Sequence, residues 1–298
     1  MNQLEALRAF VTAFDAGSLS AAARELATPL PTLSRKVADL EAHLATKLFV
    51  RTSRRLVVTE AGQAYVVTAR RILEELAEAD RVAGGELTMP RGELAIAAPL
   101  VFGRLHVLPI VSELLSAYPE IRVRLVLSDR VANLADDHLD LAVRIGELAD
   151  SSAIALRVGS VRRVTCASPS FLAEHGKPKR PADLATAHTI DFTQDHGEAH
   201  EWRFAEQRFS IRPRLAVNTA EAAIDAAIAG LGIVRVLSYQ VREAERAKQL
   251  QRVLVAYEPR AVPVSLVRAS SATLRVPPPA KLRAFLDLAV KRLRPILL

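Results

Sequence analysis

The sequence predicts a multidomain α+β chain: a winged helix-turn-helix, then a long linker helix, then a region of two small α/β lobes. Three observations carry this. Three amphipathic helical patterns end in a pair of short strands within the first 60 residues. A helical seam of 3.5-residue period follows, the pattern of a helix that pairs with another. From Glu93 onward strands and helices alternate, which predicts parallel sheets flanked by helices.

The elements follow in order. Leu4, Leu7, Phe10, Val11 and Phe14 recur at helical spacing, and Gly17 breaks the run. Ser18 or Ser20 can cap a short second helix whose inner face is Leu19, Ala22, Ala23 and Leu26. After Thr28-Pro29-Leu30, Pro31 sits where a first helical turn tolerates proline. The third helix turns Leu33, Val37, Leu40 and Leu44 inward, with Thr32, Ser34, Arg35, Lys36 and Asp39 opposite. Leu48–Arg51 and Leu56–Val58 read as strands around the basic tip Thr52-Ser53-Arg54-Arg55. Thr59 can cap a helix running to about Glu86, with Glu60 favourably placed against the helix dipole. Its seam is Val66, Ala69, Leu73, Leu76 and Ala83, and Met89-Pro90-Arg91-Gly92 reads as a hinge. Further strands are expected at Leu94–Ala97, Ile121–Leu127, Leu139–Ile145, Val161–Ala167, Leu215–Val217, Gly232–Leu237 and Val264–Val267. Helices are expected at Leu105–Tyr118, Ala220–Ala229 and Pro279–Arg294.

Composition bounds the function. Of 298 residues half are hydrophobic and 24 % charged, which excludes disorder, collagen and a coiled-coil rod. The net charge of +7 raises the odds of a polyanionic partner without placing it. Residues 1–62 hold 8 basic and 6 acidic side chains, whereas residues 269–298 hold 6 against 1. A nucleic-acid reading therefore rests on the cluster from Arg35 to Arg55, not on the net excess. One cysteine, Cys166, excludes a disulfide framework and multi-cysteine metal sites. No signal peptide is visible, and the longest apolar run, Leu94–Phe102, is interrupted by Pro99. The expectation is a soluble, cytoplasmic protein without membrane contact.

In a helix-turn-helix the third helix enters the major groove of duplex DNA with its N-terminal residues at base edges. Ser34, Arg35 and Lys36 are of the types that contact phosphates and bases, and Arg51, Arg54 and Arg55 stand ready for phosphate or the minor groove. The alternative is a three-helix bundle with a solvated polar face. No nucleophile elbow, phosphate loop or dinucleotide signature supports an enzyme, and no cofactor is expected. Cys166 reads as a small buried residue on a strand, or alternatively as a redox sensor. His196 and His200, with Glu198 and Glu201 nearby, have the spacing of a metal pair, although their polar, glycine-containing surroundings suit a solvated loop, so no metal is expected.

Leu7-Arg8-Ala9-Phe10, Gly17–Ala23, Pro31-Thr32-Leu33-Ser34-Arg35, Leu40-Glu41, Leu48-Phe49, Arg51-Thr52 and Thr59-Glu60-Ala61-Gly62 resemble the N-terminal domain of LysR-type transcriptional regulators, densely and without a gap. Phe171–Gly176 and Ala229–Ile233 are similar to runs in that family's effector-binding region. The resemblance implies a winged helix-turn-helix over residues 1–62, a dimerising linker helix and hinge over 63–89, and a periplasmic-binding-protein-like domain over 90–298. Lobe I would take 90–162 and 267–298, and lobe II 163–266. It also implies a homodimer or homotetramer, with a small effector bound between the lobes. The DNA-binding residues would be Ser20, Leu30, Pro31, Thr32, Ser34, Arg35, Lys36, Arg51, Arg54 and Arg55. Leu30 stands where the family often has a polar residue, so it offers a base only an apolar contact.

Effector contacts are expected at Pro99, Leu100, Val101, Phe102, Arg144, Ala167, Ser168, Asn218 and Thr219. Related sequences often carry a hydroxyl in the turn that here reads Pro99-Leu100-Val101, where only backbone N–H groups remain to hold an anion. An apolar turn facing Arg144 suggests a small carboxylate with an apolar or aromatic body, although Arg144 alternatively forms an internal salt bridge. A second function class is a plain solute-binding protein without a DNA role, which would leave the N-terminal module unexplained.

Overall fold

A computed structural model of the chain describes residues 2–51, 56–83, 89–148, 153–192, 201–204, 207–269 and 278–297. They form two compact units, Met1–Met89 and Pro90–Leu298.

The first unit is built from α1 (Gln3–Asp15), α2 (Leu19–Glu25), α3 (Leu30–His43), the antiparallel strands β1 (Phe49–Arg51) and β2 (Leu56–Val58), and α4 (Glu60–Ala83). Asn2 and Ser18 cap α1 and α2 by accepting backbone N–H groups of Glu5 and Ala21. Ser18, rather than Ser20, is therefore the second cap. Leu7, Phe10, Ala22, Leu33, Val37, Leu40, Leu48 and Phe49 share one core. Val66 and Ala69 of α4 are buried in that same core, beside α1. The start of the 3.5-residue seam is thus satisfied inside the unit, not by a second chain.

Thr59 caps α4 as expected: its hydroxyl accepts the Gly62 N–H at 2.9 Å and donates to the Lys47 carbonyl at 2.7 Å. The helix therefore starts pressed against the chain entering β1. A Cβ on Gly62 would lie 2.3 Å from the Leu48 carbonyl oxygen, so only glycine fits this approach.

The second unit holds two five-stranded sheets and a separate hairpin. In chain order come β3 (Gly92–Ala98), the helical stretch α5 (Leu100–Phe102), a π turn (Gly103–Val107) and α6 (Leu108–Ala117), then β4 (Ile121–Leu127), β5 (Leu141–Ile145) and β6 (Ile154–Val161). The chain crosses to β7 (Arg163–Ala167), α7 (Pro169–His175), β8 (Thr189–Phe192), β9 (Glu201–Phe204), β10 (Gln207–Ser210), β11 (Pro213–Val217), α8 (Ala220–Ile228), β12 (Ile233–Leu237), α9 (Arg242–Arg246) and β13 (Gln251–Val253). It returns through β14 (Val262–Arg268) and ends in α10 (Ala280–Leu293).

The first sheet has the order β4-β3-β5-β14-β6 and the second β11-β8-β12-β7-β13. They share one plan: three parallel strands, then a strand arriving from the other lobe that pairs antiparallel on both sides. The expected parallel sheets are therefore mixed, because a chain that crosses between lobes enters each sheet from the opposite end. β14 belongs to the first sheet from Val262 onward, so the chain returns earlier than the expected residue 266.

The stretch Leu100–Ala117 is apolar and long enough to cross a membrane, at mean hydropathy 1.4. Counting uninterrupted apolar runs overlooks it. Its apolar face, Val101, Phe102, Val107, Ile110, Val111 and Leu114, is buried in the lobe I core with Phe285 and Leu293 of α10. A sheet-covering core helix accounts for that composition.

Candidate functional sites

Of the residues expected to read DNA, Leu30, Pro31, Thr32, Ser34, Arg35 and Lys36 lie in the first half of α3, and their surroundings differ. Leu33, Val37 and Leu40 anchor the helix in the core, which turns Leu30, Pro31, Thr32 and Arg35 outward. Leu30 is 43 % exposed, a large apolar side chain held in water at the first turn. Ser34 is half-buried, and Ser20 is exposed in the first turn of α2. Lys36 differs: its ammonium lies 2.8 Å from the Glu5 carboxylate of α1 and holds that carboxyl below its usual range. It ties α3 to α1. Arg51 pairs with Leu56 across the wing strands, and Arg54 and Arg55 lie outside the described residues.

Glu41 is the residue of this unit whose role the sequence hides. It sits on the inner side of α3 and is only 8 % exposed. Its Oε1 accepts the backbone N–H groups of Leu48 and Phe49, both at 3.0 Å, and its Oε2 meets the Lys47 ammonium at 2.6 Å. Burial would raise its pKa, but Lys47 and the two N–H donors outweigh burial and hold it low. One buried carboxylate thereby fixes the first wing strand to the recognition helix.

In the second unit the expected effector residues do not converge. Val101 and Phe102 are sealed in the lobe I core. The Leu100 N–H, proposed to hold an anion, donates to Asp129 Oδ1 at 3.0 Å, so an internal carboxylate already fills that place. Ala167 and Ser168 are buried, and the Ser168 hydroxyl caps α7 and meets Ser170 Oγ at 3.1 Å. Thr219 caps α8, and Asn218 is exposed. Arg144 is engaged within lobe I, where its guanidinium donates to the Ala132 carbonyl. Burial lowers its pKa, against the opposing pull of Asp137.

Pro99 and Arg144 do share a cavity of about 880 Å³ with Ser128, Asp129, Asn133 and Gly146. It lies beside the small-residue face of the lobe I sheet, where Ala95, Ala97 and Ala142 leave room. None of Ala167, Ser168, Asn218 or Thr219 lines it.

The lobes meet through rings. Tyr239, after β12, stands 5.3 Å from Phe102 and 5.5 Å from His106, both edge-on. Burial and the nearby acid Asp129 raise its pKa. Burial and the charge of Arg242 lower that of His106. Arg104 of the π turn reaches Glu221 of α8 at 3.7 Å. Cys166 is fully buried on β7, and burial, reinforced by Glu245, pushes its thiol up to about 12. That environment suppresses the thiolate a redox sensor needs. His196 and His200 lie outside the described residues, among which no cluster of three metal-ligating side chains occurs.

These features define a class: a winged helix-turn-helix unit and a two-lobed α/β unit with crossing strands, on one chain. Residues 4–63 match the bacterial regulatory helix-turn-helix proteins of the lysR family, and residues 88–294 match the LysR substrate binding domain. The chain belongs to the LysR family of transcriptional regulators. It is 35 % identical over 272 residues to the uncharacterised HTH-type transcriptional regulator YhjC of Escherichia coli K12, covering 89 % of this chain and 90 % of that one. It is 32 % identical over 296 residues to the HTH-type transcriptional regulator CrgA of Neisseria meningitidis, covering 97 % and 96 %. A solved structure of CrgA superposes with a TM-score of 0.61 at 31 % identity, covering 97 % of this chain and 98 % of that one. The full-length structure of AphB from Vibrio cholerae, at 24 % identity, shares the fold with a TM-score of 0.60. These relatives are transcriptional regulators.

Proposed function

We propose that the chain reads a specific sequence in duplex DNA as a homodimer or homotetramer, in the cytoplasm, under control of a small molecule bound at its two-lobed unit. The observation that carries the DNA part is the outward row Leu30, Pro31, Thr32 and Arg35, held in place by the buried Leu33, Val37 and Leu40. Arg35 offers the fork that reads guanine or grips phosphate, and Leu30 an apolar contact for a thymine methyl. Ser20, Ser34, Arg51, Arg54 and Arg55 would add contacts around this row, with Lys36 a weaker contributor because Glu5 already holds it. The effector part is supported by the lobe I cavity and by the ring contacts through which one lobe can feel the other. Pro99 and Arg144 are the expected site residues at that cavity.

The test is a fluorescence-anisotropy titration on the promoter fragment found by mapping the protein on its own genome. Arg35→Ala should cost about 1–3 kcal/mol on the selected site. Arg54→Ala should weaken binding to all sequences alike and flatten the salt dependence by about one phosphate contact. Loss of neither affinity nor salt slope in both variants would return the reading to a solute-binding protein without a DNA role.

A further inference from the structure

The lobe II sheet carries two arginines, Arg163 and Arg235, on one face. β12 is its central strand, and one face of it is apolar: Val234 and Val236 join Val164, Cys166 and Ile190 in the core that includes α8. The other face carries Arg235. The register Arg235↔Thr165 and Leu237↔Arg163 puts Arg163 of β7 on that same face, diagonally beside Arg235.

Arg235 is pinned. Its guanidinium carbon stands 4.7 Å over the Phe204 ring and it donates to the Arg203 carbonyl. Its Nε is buried with no hydrogen-bond partner. Arg163 is exposed, yet the surrounding protein lowers its pKa. Tyr239 faces Arg163 and itself packs edge-on against Phe102 of lobe I, so this face stands at the lobe junction. It also lies toward the carboxyl end of β12, where open α/β sheets bind ligands.

Neither arginine forms an ion pair among the described residues. Asp191 shares this face, but its Oδ1 accepts the Trp202 indole N–H at 3.1 Å. The charge that Arg235 feels is Arg163, and together with the larger effect of burial it pushes Arg235 down to about 9. Two like charges held side by side without a counter-ion cost stability unless something negative joins them.

We propose that Arg163 and Arg235 anchor the effector, and that the effector is a compact small molecule carrying two negative charges, as a dicarboxylate or a phosphate. This rests on the effector reading above and moves its anchor from Arg144 to lobe II. Arg163 supplies a free bidentate fork, and Arg235 the unpartnered Nε, pre-oriented by Phe204.

The experiment uses the full chain, with succinate and inorganic phosphate as probes, benzoate as the monoanion, and potassium chloride to match ionic strength. Calorimetric titration and thermal shift are read together, and promoter affinity is measured with and without each probe. One dianion should bind and raise the melting temperature beyond the chloride control, and which of the two does so separates a carboxylate ligand from a phosphate. Arg163→Gln and Arg235→Gln should each weaken that binding about tenfold or more. Arg163→Lys should recover part of it, and Arg162→Gln, an equal loss of charge one residue away, should not weaken it. Without probe, Arg163→Gln should melt no lower than the parent, because it relieves repulsion, so lost binding cannot be blamed on misfolding. Binding that survives Arg163→Gln, or binding of benzoate alone, overturns the anchor. So does the absence of binding by both dianions. The effector reading itself falls only if a broad panel of small molecules, neutral and cationic ones included, also leaves promoter affinity unchanged.

Discussion

Glu41→Ala should loosen the wing from the recognition helix. The carboxylate accepts two backbone N–H groups that are buried with it, at 3.0 Å each, and one ammonium at 2.6 Å. A hydrogen bond to a charged group is worth about 1.5–3 kcal/mol, and a stranded buried donor costs a comparable amount. The Lys47 side chain is 73 % exposed, so its pairing adds less than about 1 kcal/mol. Partial rehydration of the opened site offsets some of the loss, and about 3–5 kcal/mol remains. Amide hydrogen exchange on the full chain reads this locally and avoids treating two units as one transition. The Leu48 and Phe49 amides should exchange faster by about two orders of magnitude or more. Because the folded pKa of Glu41 is lowered, its contribution is present above the unfolded glutamate value of about 4.3 and is lost as pH falls through the folded value. Protection at both amides that changes by less than about tenfold would refute the clamp.

Gly62→Ala should destabilise the first unit by about 1–3 kcal/mol in the same exchange assay, because the new methyl meets a backbone carbonyl that cannot swing aside. Unchanged protection in α4 would count against it. Lys36→Ala should cost DNA affinity less than Arg35→Ala, and Glu5→Gln should strengthen binding by freeing Lys36; equal losses from the two cations would show that the pair opens on DNA. Cys166 should resist a thiol reagent such as dithionitrobenzoate at pH 8 in the native chain and react at once in guanidinium, since its pKa of about 12 leaves almost no thiolate. Stoichiometric labelling without denaturant would contradict its burial.

Much of the fold was legible along the chain. Helical spacing at Leu7, Phe10, Leu33, Val37 and Leu40 marks the residues that form the N-terminal core, and Thr59 announces the cap it makes. The exposed row on α3 follows from the same periodicity, since whatever is not inward on an amphipathic helix is outward. Periodicity does not say which partner an apolar seam meets, and Val66 and Ala69 meet their own domain. Nor does it say which charges neutralise each other. Lys36 reads like its neighbour Arg35 until α1 brings Glu5 beside it.

The effector lobes show the limit most clearly. Local pattern marked the apolar turn after β3 and Arg144, but it could not show Asp129 arriving at the Leu100 N–H from 29 residues away. Arg235 did leave a signal, a lone cation inside the apolar run Ile233-Val234-Arg235-Val236-Leu237. Its meaning depends on Arg163 of β7, 72 residues earlier in the chain, which the register Leu237↔Arg163 brings alongside it in the sheet. The sequence by itself determined the family, the elements of the N-terminal unit and the inward faces of its first three helices, because these depend on residues close along the chain. Which charges are paired, which are left without a counter-ion, and where the strands cross between lobes were decided only by tertiary structure, because they depend on residues that strand pairing brings together from far apart.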